Sequence, residues 1–193
     1  MAVAVLVILD WLALLPMVHG WDERVTMWLQ HAAPAFDAPG GIVVFLGNAE
    51  VVIPAVVAGG LLLGRTSGRV MPALWLAAAL IAASLLAVAL KHLIPHPGPP
   101  EAFARHHLLP GLHVDTPYSF PSGHTLRTTV LWGTVLRKTP WLAGALILCM
   151  MTALVYMGDH WLSDVIGGLC LGWVFLEAGQ AIRTARSRSY RRG

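Results

Sequence analysis

The chain has 193 residues, of which 56% are hydrophobic and 12% charged. Soluble domains carry about 25% charged residues, so this deficit, with a mean hydropathy of +0.67, names lipid as the main solvent and excludes a water-soluble globular enzyme. The formal charge of +3 is too small for nucleic-acid binding, and the length holds one membrane-embedded domain over 1–193 with no room for a second.

Residues 1–19 are apolar apart from Asp10. No basic run precedes them and no small-residue cleavage site is evident, so they are expected to be a retained span rather than a removed signal. Residues 21–41 place Val25, Trp28 and Leu29 on one helical face, with Asp22, Glu23 and Arg24 in the first turn. That pattern predicts an amphipathic helix lying in the interface, ended by Pro34 and a Pro39-Gly40-Gly41 turn. Five further stretches follow at 41–63, 70–94, 121–137, 141–158 and 161–182. A helix crossing the hydrocarbon core needs about 20 residues, and most of these stretches are long enough. The segment 121–137 is the most polar because it contains His124 and Arg127, and polar groups at that depth are placed there by function. The expected fold is therefore an all-α membrane protein of six transmembrane helices plus an N-terminal interfacial helix. Cys149 and Cys170, isolated in apolar stretches, read as small core hydrophobes.

Basic residues orient these spans. Arg65 with Arg69, Arg137 with Lys138, and Arg183, Arg186, Arg188, Arg191 and Arg192 all fall on one side if every stretch crosses. The positive-inside rule makes that side cytoplasmic, with both termini. The outward side receives residues 95–120, a connection rich in proline and histidine, and loops of that length are usually functional or disordered.

The loop leads into Pro121-Ser122-Gly123-His124. Proline suits a first helical turn, and a helix N-terminus with bare amides and a hydroxyl is an anion cradle. The structural alternative is an ordinary capped helix start. A second cluster, Gly158 to Asp164, places His160 and Asp164 four apart on one helical face. A carboxylate on one imidazole nitrogen fixes the tautomer and frees the other nitrogen as a nucleophile; the alternative is a structural cap. Lys91, at the outer end of the third stretch, either snorkels to headgroups or supplies positive charge to a phosphate. Topology brings Lys91, Ser122, His124, His160 and Asp164 to one face of the membrane.

These motifs resemble the type 2 phosphatidic acid phosphatase superfamily of membrane lipid phosphatases, related in fold to vanadium haloperoxidases. Its signature runs Lys-x6-Arg-Pro, Pro-Ser-Gly-His, Ser-Arg-x5-His-x3-Asp, and order and spacing match across residues 91–164. The resemblance implies His160 as phosphoryl-accepting nucleophile, Asp164 as its orienting partner and His124 as general acid. It also implies Lys91, Ser122 and the Gly123 amide as phosphate ligands, with no metal or other cofactor. Expected partners are a membrane lipid phosphate, isoprenoid (undecaprenyl phosphate among them) or glycerolipid, and the bilayer itself; no protein partner is indicated. The expected location is a bacterial inner membrane with the site facing outward. Two positions depart from the pattern: Gly98 stands in place of the first arginine, and Ala153-Leu154 in place of Ser-Arg. Arg127, one turn after His124, is the leading substitute for the lost charge, with Arg105, His96, His106 and His107 as further candidates. The same departures suit an alternative, a non-catalytic lipid-phosphate binder, transporter or partner subunit on this scaffold.

Overall fold

The computed structural model describes residues 16–67, 70–109, 111 and 116–190, with the backbone alone at 16, 66–67 and 182–190. The expected span over 1–19 lies outside this set except for its last turn, as do Arg69, His113, Arg191 and Arg192. Among the described residues all regular structure is helical.

Helix α1 (Pro16–Ala32) begins earlier than expected and ends two residues before Pro34. Trp21, Met27 and Trp28 are exposed, in keeping with a helix whose aromatic face meets the lipid interface. Val25 and Leu29 pack instead on the core, so Trp28 does not share their face as the periodicity suggested. The buried polar side of α1 carries Asp22 and Thr26.

The stretch expected as one span over 41–63 is two helices, α2 (Asp37–Leu46) and α3 (Ala49–Ser67), bent by 57° at Gly47-Asn48. Pro39, Gly40 and Gly41 form no turn; they lie inside α2. Their smallness serves packing, since a Cβ on Gly40 would meet Met157 Sδ and Phe36 at 3.2 Å.

Helix α4 (Met71–Leu93) matches the expected third span. Helix α5 (Gly123–Val135) has 13 residues, roughly 20 Å at 1.5 Å per residue, against about 30 Å of hydrocarbon. Helices α6 (Pro140–Met157) and α7 (Leu162–Tyr190) follow. By length and composition α4, α6 and the first 20 residues of α7 suffice to cross a membrane, and α2–α3 makes a fourth if the bent pair is one span. The expected six is not reached among the described residues, because α5 is short and 1–19 lies outside them.

α5 is the buried centre, packed against α4, α6 and α7. Thr125, Leu126, Thr128, Thr129 and Val130 are all buried. Small residues allow the approach of α7: a Cβ on Gly168 would meet the Ser122 carbonyl at 2.4 Å, and one on Gly172 would meet Thr129 Cβ at 2.6 Å. Such small-x3-small spacing is how membrane helices bring backbones together without a hydrophobic drive between them. An apolar groove of about 460 Å³ between α5, α6 and α7 is lined by residues such as Gly133, Ile147 and Trp173. It lies toward the Arg137 end of the helices, away from the histidines.

Candidate active site

The C-terminus of α4, the N-termini of α5 and α7, the α6–α7 turn and the α2–α3 break meet at one end of the bundle. Arg65, Arg137 and Lys138 belong to the opposite helix ends.

Gly158 ends α6 in the left-handed region, φ 73°, and its N–H bonds back to the carbonyls of Leu154 and Val155, the usual glycine helix stop. A Cβ there would also strike the Phe103 carbonyl at 2.3 Å. The chain reverses through Asp159 and His160 and enters α7 at Leu162. Asp164, at the third helical position, reaches back to the Trp161 N–H at 2.9 Å, half of a capping box. The same carboxylate oxygen accepts from His160 Nδ1 at 3.2 Å and from the Ser119 hydroxyl. Nε2 is the His160 ring nitrogen that Asp164 does not engage. His160 and Asp164 are both buried, so the pair expected from their spacing is formed.

Ser122 caps α5, its Oγ accepting from Thr125 N–H at 3.4 Å and Thr125 Oγ1 at 3.3 Å. Its own N–H donates to the Asp164 carbonyl at 3.0 Å. The amide expected to be bare at Ser122 is therefore engaged, which ties the two motifs together through the backbone. Gly123 opens the helix, where an N–H has no intrahelical acceptor. A Cβ on Gly123 would lie 3.1 Å from Arg127 Nη1, so glycine is what lets that guanidinium reach the helix N-terminus. Arg127 is buried, and its Nε and Nη2 donate to the Gly47 carbonyl at 3.2 and 3.1 Å.

His124 is the second residue of α5. Its Nε2 pairs with Asn48 Oδ1 at 2.6 Å, and the acceptor oxygen makes Nε2 the protonated nitrogen. The His124 and His160 ring centroids stand 6.5 Å apart, edge to face. Lys91, in the last turn of α4, is within Coulombic range of Asp164 and Arg127, and His124 is in range of Arg127, His160, Lys91 and His107. Lys91, Ser122, Gly123, His124, Arg127, His160 and Asp164 thus lie at the same end of the bundle.

The remaining candidates separate. Arg105 stacks on the Tyr156 ring at 5.5 Å, and His106 is exposed. His107 Nε2 bonds Asp159 Oδ1 at 2.9 Å, and that bond raises its pKa above 6.5. At the family arginine positions, Leu154 is fully buried in the core, and a Cβ on Gly98 would crowd Ser119 Cβ at 3.2 Å. Sequence reasoning missed Asn48, Ser119 and Asp22. Asn48 had a legible signal, a Gly-Asn pair interrupting an apolar run; Ser119 and Asp22 had none. Asp22 is buried against α7, its carboxylate accepting from Ser163 N–H at 2.9 Å and Ser163 O–H at 2.7 Å. Burial raises its pKa, opposed by those two bonds.

A helix N-terminus, a buried guanidinium, and an imidazole paired with a carboxylate and facing a second imidazole are group types that phosphoryl transfer can use. A crystal structure titled as the first transmembrane PAP2 type phosphatidylglycerolphosphate phosphatase, from Bacillus subtilis, superposes with a TM-score of 0.77 over 95% of this chain and 94% of that one. At 20% identity the likeness carries the fold. No curated protein matches the chain. The family model for the PAP2 superfamily matches residues 72–187, from the start of α4 to the last turn of α7. The chain belongs to the PAP2 superfamily.

Proposed function

We propose that the protein is a metal-independent phosphatase or phosphotransferase for an isoprenoid or glycerolipid phosphate at the outer leaflet, working through a phosphohistidine. The observation that carries this reading is the facing pair: His160, oriented through Nδ1 by Asp164, across 6.5 Å from His124 at the N-terminus of α5. His160 Nε2 attacks phosphorus as the P–O bond to the leaving group breaks. The departing oxygen takes its proton from Nδ1 of His124 in the imidazolium form, whose Nε2–H stays on Asn48 Oδ1. Water, or an acceptor alcohol, then attacks the phosphohistidine, and His124 accepts the incoming proton. Lys91, the Gly123 amide, the Ser122 hydroxyl and Arg127 Nη1 hold the phosphate oxygens. The lipid tail stays among the helices with its headgroup at the mouth. Basic residues at the far helix ends support an outward-facing site with cytoplasmic termini in a bacterial inner membrane.

The test is phosphate release by purified protein from a panel of phosphatidic acid, phosphatidylglycerolphosphate and undecaprenyl phosphate, with and without His160→Ala. Losing a nucleophile that acts as part of a unit costs about 10⁴-fold or more. Turnover that survives the substitution sinks the nucleophile assignment. The absence of arginine at Gly98 and Leu154 favours a second reading, a non-catalytic lipid-phosphate binder. Tight binding of one panel lipid with neither release nor transfer would establish it.

A further inference from the structure

The loop after α4 does more than cover the site. His96 is 3% exposed, and its Nδ1 lies 3.1 Å from Asp164 Oδ1, the oxygen that His160 does not use. The contact is an electrostatic pairing between imidazole and carboxylate. The His96 carbonyl accepts from Ser119 N–H at 2.9 Å, and the Ser119 hydroxyl donates to Asp164 Oδ2. Two residues that sit side by side through this backbone bond therefore grip both oxygens of one carboxylate. Trp161, whose N–H caps the same group, donates its indole Nε1–H to the Pro97 carbonyl at 3.1 Å and locks the loop there. Gly98 suits the grip, because a Cβ there would crowd Ser119 Cβ at 3.2 Å. Close to the position where the family pattern has an arginine, this chain sets an imidazole and a hydroxyl on the carboxylate.

We propose that His96, with Ser119, is a positioning residue for the phosphoryl-transfer site: it fixes the plane of Asp164 and so the tautomer and aim of His160. A carboxylate held only through Oδ2, by His160, Trp161 N–H and the Ser119 hydroxyl, leaves Oδ1 free to swing about a terminal torsion that is broad and soft. Held on both oxygens, it presents Oδ2 to His160 Nδ1 in one geometry. Asp22 is the further charge in Coulombic range of His96; it is committed to Ser163 and leaves the Asp164 contact to the imidazole.

This inference rests on the phosphoryl-transfer reading, and its test separates the two. Outer partners of a reacting imidazole typically contribute about 10- to 100-fold. With a lipid phosphate that wild type turns over, His96→Ala is expected to lower kcat at least 10-fold with KM within about twofold. His96→Asn, which returns an N–H near the same place, is expected to regain most of it. The second readout needs no turnover: with ¹⁵N-histidine in detergent micelles, His160 should be a single Nδ1-protonated tautomer in wild type and His96→Asn, and a mixture in His96→Ala. If wild type lacks phosphatase activity but the tautomer mixes in His96→Ala, the enzymatic reading fails and the positioning role stands. An unchanged His160 tautomer in a folded His96→Ala protein, or an equal kcat loss in both variants, overturns the proposal.

Discussion

Arg127 performs two tasks with one guanidinium. Nε and Nη2 hold the Gly47 carbonyl at the α2–α3 break, while Nη1 lies over Gly123 at the helix N-terminus. A planar fork does this and an ammonium does not. Arg127→Lys is therefore expected to lower turnover by about 10² to 10³ despite keeping its charge, and to melt earlier than wild type in detergent. Unchanged turnover would place the phosphate clamp elsewhere. The His107–Asp159 pair gives a pH signature. Its bond raises the His107 pKa above 6.5, so its stabilisation is complete below that value and fades as pH rises through the raised one. Melting temperatures of wild type and His107→Gln are expected to differ at pH 5.5 and converge toward pH 8.5; a constant gap would contradict the pairing. The His160–Asp164 pair was legible because spacing alone puts the two on one face. Asn48 showed only as a break in an apolar run, and its partnership with His124, like that of Ser119 with Asp164, was not legible because these contacts cross 76 and 45 residues of chain.

The seam between α5 and α7 is where one helix decides the fate of the site. Gly172 faces Thr129 too closely for any side chain to fit without movement. Gly172→Leu is expected to cost about 1–3 kcal/mol by overpacking and to part the Ser122 amide from the Asp164 carbonyl. Loss of both melting temperature and phosphate release would follow, whereas Gly144→Leu, with nothing near its Cβ, should leave both intact. Helix α1 docks through Asp22 on the N-terminus of α7. Burial raises the Asp22 pKa, so ionising it costs stability as pH rises above the ordinary carboxylate range. Asp22→Asn keeps an acceptor and sheds that charge. It is expected to melt no lower than wild type at pH 7, while Asp22→Ala, which strands the Ser163 donors, should melt lower. The opposite order would mean that the charge itself holds α1. At this scale the periodicity located α4, α6 and α7, whose apolar runs are unbroken. It misread α2–α3, because hydropathy does not register a bend that a buried Arg127–Gly47 bond stabilises.

The molecule as a whole carries its chemistry at one end and its basic residues at the other. With Cys149 and Cys170 replaced, an impermeant maleimide should label Glu101→Cys in intact cells and leave Arg137→Cys unlabelled. The reverse pattern would turn the site toward the cytoplasm. The apolar groove near Arg137 lies at the opposite end from the histidine pair.

Sequence by itself determined the solvent, the helical class and the family whose motifs the chain carries. Those follow from composition, from 3.6-residue periodicity and from motifs contained within a single turn. Only the tertiary structure decided how the site is held together. Asn48 on His124, His96 and Ser119 on Asp164, and Arg127 on Gly47 are all contacts between distant segments, and they exist because a short buried α5 draws four helix ends to one point.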